Sequence, residues 1–476
     1  MAGCIPMADP GRGHATSQQI WELSVAELVT GYRDRSLSPV HVTETYVDRI
    51  SRLNPQLHAF VEVNPERALE QAHWAEQQYA TGGPQLPLLG IPVSVKDAFH
   101  LRGAPTTLGS TIHRGQIAKS DSGVVRRLRA AGAIFPGKTN TAEFGQSATT
   151  DNLLGPDTVN PWDPTRTPGG SSGGAATSVA AGLSTLAVGS DGGGSVRIPA
   201  AFTGLYGLKP SHGLCPDERG FRAMTDFVCP GPLTRCVADA RVMLGVLADR
   251  EYPRQRVPGR LRVGLQLRPE GHPVDPGVLA AVESAAALLT ELGHEVQETS
   301  LPMAGWNDIF GPLVLDDEHR ERGHLLHRPE ALSRYERSSL RAAVDLAPET
   351  VQRALESLPL FRARMDAVFD EFDVVVTPAT AVPAFALGQR PTMVDGQPVD
   401  RLWGAFPFAV PFNVAGVAAA SLPCGLAAGL PVGVQLVTRM ATEQLLLDLS
   451  EDLEEALNFA ERPALDALLT RESASH

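Results

Sequence analysis

The chain opens on small and polar residues with no sustained apolar run, and residues 1–17 read as a flexible N-terminal tail. Apolar positions then recur at helical spacing. Ser24 with Glu27 makes a capping box for one helix. Ser38 followed by Pro39 starts a second, with Tyr46, Val47, Ile50 and Leu53 on one face, and a third covers Pro65 to Tyr79. From Leu86 onward the period changes. Short apolar runs (Ile91 to Val95, Ala133 to Phe135, Thr185 to Val188) alternate with helical stretches (Ser122 to Ala131, Ala175 to Ala181). Residues 260–267 and His294 to Ser300 read as strands around a helix from Pro276 to Leu292, and Val374 to Pro378 as a further strand. The alternation predicts a layered α/β core.

Residues 305–372 break the pattern: they are helical, rich in Arg and Glu, and poor in glycine. They are either a solvated excursion from the sheet or a cap that shapes a substrate pocket. No repeat or long linker divides the chain, so residues 18–476 are expected to form a single domain containing that excursion.

Composition narrows the function. A chain of 476 residues that is 43% hydrophobic and 20% charged can bury a large core without disulfide or metal staples. A formal net charge of −13 argues against nucleic acid as a partner. The longest apolar stretch, Ala409 to Val437, is interrupted by Pro411, Asn413, Pro423 and Pro431, so it reads as buried strands and turns and not as a membrane span. The five cysteines (Cys4, Cys215, Cys229, Cys236 and Cys424) are odd in number and contain no CxxC pair. Together with the absence of a signal-peptide pattern, this fits a reducing compartment, the cytoplasm. The oligomeric state is not legible; a homodimer stays open. Lysine is scarce, with only Lys96, Lys119, Lys138 and Lys209 available as a lysine base.

Two glycine-rich segments carry the candidate chemistry: Pro168-Gly-Gly-Ser-Ser-Gly-Gly-Ala-Ala176 and Gly189-Ser-Asp-Gly-Gly-Gly-Ser-Val-Arg-Ile-Pro199. Consecutive glycine amides before a serine can hold an oxyanion while the serine attacks a carbonyl. Either segment alone is equally well a tight turn with an incidental serine. A serine nucleophile needs a base. His212, in a turn after a strand, is the nearest histidine. Lys96 is the other choice: it ends an apolar run, where burial lowers a lysine pKa, although it also reads as a strand-end lysine paired with Asp97.

The two segments belong to a longer ordered series. Gly90-Ile-Pro-Val-Ser-Val-Lys-Asp97, Gly137-Lys-Thr-Asn140 and Asn160-Pro-Trp162 precede or flank them, and Gly207-Leu-Lys-Pro210 and Gly231-Pro-Leu-Thr-Arg235 follow. Weaker pieces are Pro411-Phe-Asn413, Leu422-Pro-Cys-Gly425 and Gly429-Leu-Pro-Val-Gly-Val-Gln435. In this series the chain resembles the amidase signature family over about residues 86–245. The resemblance implies an α/β/α layered sandwich with a large central mixed β-sheet and helices on both faces. It implies a hydrolase of amides, aryl amides or carbamates, with esters within reach, that uses no metal and no cofactor. It assigns the acylated nucleophile to Ser195, a bridging serine after a cis peptide bond to Ser171, and the terminal base to Lys96. The amides of Gly192, Gly193, Gly194 and Ser195 would form the oxyanion hole. Asp191 and Arg197 would brace that loop, Ser172 would support the triad, and Gly145 and Ser147 would line the acyl site.

Other patterns are weaker. Gly132-Ala-Ile-Phe-Pro-Gly-Lys-Thr139 matches the Walker A string, but the strand lies inside it where the phosphate loop should be. Gly170-Ser-Ser-Gly-Gly174 matches a nucleophile elbow at Ser172, but a loop precedes it where a strand is needed. His319, His324 and His327 sit near Asp316, Asp317 and Glu318 without a common zinc spacing. The competing function is the glutamine-hydrolysing amidase component of a tRNA-dependent amidotransferase complex. Against it, Gly213 to Phe221 and Val228 to Pro232 depart from that component's pattern. A non-catalytic binding protein on the same scaffold conflicts with the presence of Lys96, Ser171 and Ser195 together.

Overall fold

A computed structural model describes residues 20–465 apart from 219 and 221. The expected N-terminal tail lies outside the described residues. Eleven strands form one mixed sheet. In chain order they are β1 (Phe60–Val63), β2 (Val93–Lys96), β3 (Gly137–Thr139), β4 (Leu186–Asp191), β5 (Tyr206–Lys209) and β6 (Cys229–Thr234). They continue with β7 (Arg262–Leu265), β8 (Glu295–Glu298), β9 (Val374–Pro378), β10 (Ala418–Ala427) and β11 (Leu430–Thr438). Across the sheet the order is β1-β3-β2-β4-β6-β5-β10-β11-β9-β7-β8. β2 runs parallel to both β3 and β4, and β4 pairs antiparallel with β6. β10 and β11 form the long antiparallel hairpin at the centre.

Strand parity divides the packing. Side chains of successive strand residues point to opposite faces. On one face Val93, Val95, Leu186, Val188, Leu208 and Ala420 join the largest core with Val237, Leu244, Val282 and Leu446 of the helices Val237–Ala248, Pro276–Glu291 and Glu443–Leu457. On the other, Ala187 and Leu233 pack on the short helices Gly173–Ala180 and Arg197–Thr203. Val375, Ala419 and Val437 pack there on the 305–372 excursion. Each fully buried Leu or Val contributes about 1.5–3 kcal/mol, so the parity is strongly enforced. Lys96, two residues beyond Ser94, therefore emerges on the second face, where Ser94 Oγ already meets Ser178 Oγ of the helix Gly173–Ala180 at 2.8 Å.

The helices begin where their caps predict. Ser24 and Glu27 cap each other reciprocally at the start of Val25–Asp34, and Ser38 accepts from two amides at the start of Pro39–Leu57. One expected strand moves: Ala133 to Phe135 makes only a single bridge, Ile134 to Pro92, and the regular strand lies at Gly137–Thr139. Pro92 and Pro136 lack the N–H donors that a continuous ladder would need. The excursion folds as the helices Trp306–Arg322, Arg334–Val344, Pro348–Asp366 and Val368–Glu371. No helix of the described residues is long and apolar enough to cross a membrane.

Candidate active site

Lys96 sits fully buried at the end of β2, and its Nζ has two hydroxyl neighbours: Ser171 Oγ at 2.7 Å and Ser190 Oγ at 2.9 Å. The amine donates to both when charged and accepts when neutral. Burial penalises the ammonium and brings its pKa down to about 7, against the opposing pull of the Asp191 carboxylate. The pairing with Asp97 does not form. Asp97 accepts from Lys138 Nζ at 2.8 Å and from the amide and hydroxyl of Thr107.

Ser171 follows a cis peptide bond from Gly170. Gly170 is packed so closely on Thr149 that an added Cβ would lie 2.5 Å from its carbonyl carbon. The neighbouring Ser172 ties the two glycine segments together. Its Oγ donates to Ser190 O at 3.2 Å and accepts from Ser190 N at 3.3 Å, while its amide donates to Ser195 O at 3.2 Å. The chain enters Ser172 from a loop and leaves in a helix, so the elbow geometry is absent at this position.

Ser195 lies in the turn between β4 and the helix Arg197–Thr203, and Asp191 organises that turn. Its carboxylate accepts from the amides of Gly194 (2.7 Å), Val196 (3.1 Å) and Arg197 (3.4 Å). Burial alone would raise the Asp191 carboxyl. The Arg197 guanidinium, with Nε at 3.0 Å and a terminal nitrogen at 2.9 Å, overrides it and holds the group well below the usual carboxylate range. Arg197 is buried too, and donates onward to Gln435 Oε1 (2.7 Å), Asn413 Oδ1 (2.6 Å) and Ala409 O (3.1 Å). Asn413 Nδ2 returns to Asp191 Oδ1 at 2.9 Å. One expectation is corrected: the Gly194 amide is directed at Asp191 and is not available to an oxyanion. Gly192, Gly193 and Ser195, which line the cavities, are the amides that remain.

Two chambers meet at Ser195. The first, of about 330 Å³, has apolar walls from Met224, Phe310, Val314, Leu315 and Trp403, and Gly145, Ser147 and Gly193 border it. The second, of about 280 Å³, is bordered by Ser171, Ser190, Gly192, His212, Asp217 and Arg222. Gly145, Ser195 and Met224 belong to both. Ser147 borders the first chamber, and its hydroxyl is held by Arg390 at 2.6 Å and Thr149 Oγ1 at 2.8 Å. The side of the first chamber formed by residues 307–318 is one stripe of the helix Trp306–Arg322. Asn307, Phe310, Gly311, Val314, Leu315 and Glu318 recur every three or four residues.

The remaining candidates fall elsewhere. His212 Nε2 donates to Thr225 O at 3.2 Å, so it is engaged with backbone. Lys138 serves Asp97, Lys209 Nζ donates to Pro210 O at 2.9 Å and also to Val417 O, and Lys119 is exposed. In the Walker-like string Gly137–Thr139 is the strand β3. The histidine cluster does not converge: His327 Nδ1 bonds to His324 O, Asp316 pairs with Arg320 at 3.1 Å, and Asp317 holds Thr225. Sequence reasoning gave no role to Ser190, Asn413 or Gln435. Asn413 and Gln435 lie in the motif pieces Pro411-Phe-Asn413 and Gly429 to Gln435, so a signal existed. Ser190 likewise lies in the glycine-rich segment Gly189 to Pro199.

Similarity to known proteins points the same way. The model of the Amidase family matches residues 41–447, and the chain belongs to that family of amide hydrolases. AmiB2 of Mycobacterium tuberculosis (strain ATCC 25618 / H37Rv), named as an amidase, is 37% identical over 404 residues, covering 82% of this chain and 86% of that protein. A glutamyl-tRNA(Gln) amidotransferase component from Carboxydothermus hydrogenoformans is 32% identical over 454 residues, covering 85% of this chain and 91% of its own length. Among solved structures, a bacterial aryl acylamidase of the amidase signature family superposes with a TM-score of 0.84 at 28% identity, covering 91% of this chain and 96% of that one.

Proposed function

We propose that this chain hydrolyses carboxylic amides and carbamates through an acyl-enzyme on Ser195, with Ser171 and Lys96 completing the relay. The observation that carries the reading is the 2.7 Å contact between a buried Lys96 amine, poised near pKa 7, and Ser171, which shares a cavity with Ser195. Neutral Lys96 takes the Ser171 proton as Ser171 takes that of Ser195. Ser195 Oγ bonds to the carbonyl carbon, and the amides of Gly192, Gly193 and Ser195 hold the resulting oxyanion. Collapse breaks the C–N bond, and the proton returns from Lys96 through Ser171 to the departing nitrogen. Water then attacks the acyl-enzyme by the same relay, releasing the acid and restoring Ser195.

The relay assigns the two chambers. The departing nitrogen must sit within reach of Ser171, which borders the second chamber, so the acyl group occupies the first. There the excursion helix Trp306–Arg322 acts as the cap. A 330 Å³ apolar chamber suits an acyl group larger than acetyl. An aryl amide of the kind named for the aryl acylamidase fits this division, and an ester would use the same steps. Reduced cysteines at Cys215, Cys229, Cys236 and Cys424 support a cytoplasmic setting.

The test is to incubate the purified protein with aryl amides, aliphatic amides, carbamates and glutamine, reading amine and ammonia separately, with Ser195→Ala as control. Turnover of amides that disappears in Ser195→Ala supports the reading. Glutaminase activity that appears only with a partner protein would instead support the amidotransferase component.

A further inference from the structure

The first chamber is mostly apolar but is bordered by one carboxylate. Glu318 borders it and is 1% exposed. Its Oε2 accepts from Ser339 Oγ at 2.6 Å. Its Oε1 is buried without a hydrogen bond and is ion-paired with the Arg322 guanidinium at 3.9 Å. A buried acceptor without a hydrogen bond is unfavourable, and a ligand N–H that reached it would supply one. Among the described residues bordering the chamber, Glu318 is the one carboxylate, and none is Lys, Arg or His. Tyr335, Ser338 and Ser339 border the chamber as well, and the Ser339 hydroxyl is the one on Glu318.

The charges behind the wall reinforce the polarity. Arg322 Nε donates to Glu336 at 2.9 Å, so the cation is shared between two acids. Burial first, then the neighbouring Glu336, raises the Glu318 carboxyl to about 7, with Arg322 and the Ser339 hydroxyl opposing. Glu143 acts on Glu336, and Asp317 on Glu318, each disfavouring the ionised carboxylate. Arg390 lies beyond Ser147 and Tyr335 and is turned onto the Ser147 hydroxyl. A ligand cation entering here meets an acid that shares its one counter-ion, Arg322, with Glu336; a ligand carboxylate meets Glu318 as a like charge.

Helix geometry sets the distance. Phe310, one of the stripe residues, has its ring 3.3 Å from where a Gly193 side chain would begin, beside the nucleophile. Glu318 is on the same stripe, about 12 Å further along at about 1.5 Å per residue. We propose that Glu318 is a specificity-determining residue that receives an amine or ammonium at the far end of the substrate's acyl chain. The preferred substrates are then amides of ω-amino acids with several methylenes between the carbonyl and the amine. Glutamine, whose acyl portion carries a carboxylate as well, is disfavoured. The assignment rests on the proposal that the acyl group occupies the first chamber.

The experiment separates the two readings. Binding of an ω-aminoalkanamide and of the alkanamide of equal length is measured calorimetrically on Ser195→Ala protein, over a series of chain lengths. Turnover of the same pairs is followed on the wild type. The amine ligand is expected to bind at least about tenfold tighter at one optimal length, as a charge-assisted hydrogen bond to a buried acid provides. In a Glu318→Gln, Ser195→Ala protein that ratio should collapse toward one. Equal binding of the two ligands at every length, or a ratio that survives Glu318→Gln, overturns the proposal. If Glu318→Gln protein does not fold, the ratio on the Ser195→Ala protein and its decline below pH about 7, as Glu318 protonates, decide the matter. A binding preference without any wild-type turnover would leave the subsite standing and remove the hydrolase reading.

Discussion

Asp97 follows Lys96 in the chain yet gives its carboxylate to Lys138, 2.8 Å away. Asp97 lies one residue beyond the end of β2, in a turn, and its carboxylate reaches Lys138, so the acid adjacent in sequence neutralises a different lysine. Lys96 is left to Ser171 and Ser190, with its charge opposed by burial.

The pH profile follows from that relationship. In the proposed relay neutral Lys96 is the working form, and its pKa is lowered to about 7. Below that pH, kcat/KM should fall about tenfold per pH unit, and above it the rate should level off. Lys96→Arg, which stays protonated, should be inactive across the neutral and alkaline range. Full activity at about pH 5 would contradict a lysine base.

Ser171→Ala should lower kcat by roughly 10²–10⁴-fold, since it removes the proton path between Ser195 and Lys96. Circular dichroism should show the fold intact, because the Ser172 hydrogen bonds that join the two glycine segments remain. Single-turnover kinetics with an activated aryl ester should lose less than amide turnover, as an aryloxide leaves without needing the proton.

Asp191 and Arg197 form a buried pair, so breaking it leaves a charge uncompensated. Asp191→Ala should cost about 3–5 kcal/mol in urea unfolding, and Asn413→Ala about 1–3 kcal/mol, for the loss of its hydrogen bonds. The Asp191 carboxyl is held below its ordinary 3.8, so it contributes stability that is present above pH about 4 and is lost as acidification passes through its lower folded value. The stability of Asp191→Ala should lack that slope.

Gly193 and Gly194 should respond differently to alanine. Gly194 has φ +109, and a Cβ there meets Ala409 Cβ at 2.6 Å and Ile198 Cδ1 at 2.7 Å, so Gly194→Ala should destabilise the fold. At Gly193 a Cβ meets Phe310 and Val410 at 3.3 and 3.4 Å. Gly193→Ala should fold and raise KM for bulky acyl groups more than for small ones, which a substrate-size series with melting temperatures would show.

What the sequence revealed tracks how local the signal is. Caps such as Ser24 with Glu27 and Ser38 before Pro39 act within one turn, and they lie where expected. The glycine segments were legible as candidate oxyanion turns, but the residues alone left the base open between His212 and Lys96, and it was the resemblance to the amidase signature family that assigned it to Lys96. The bonding of Gly194 to Asp191 was not legible, since its amide direction depends on a backbone turn with φ +109. Nor was the convergence of Asn413 and Gln435 on Arg197, which requires β11 to lie beside the active-site turn more than two hundred residues away in sequence. Residues 305–372 showed only a helical pattern. Their bearing on the chamber came from which face of Trp306–Arg322 the sheet leaves turned inward.

The acyl-enzyme itself can be caught by quenching the reaction with a slowly deacylating aryl amide or carbamate and locating the adduct by peptide mass spectrometry. One acyl group per chain is expected, on Ser195, absent from Ser195→Ala and strongly slowed in Lys96→Ala. An adduct on Ser171, Ser172 or another residue, or turnover that persists in Ser195→Ala, would contradict the assignment of Ser195 as nucleophile.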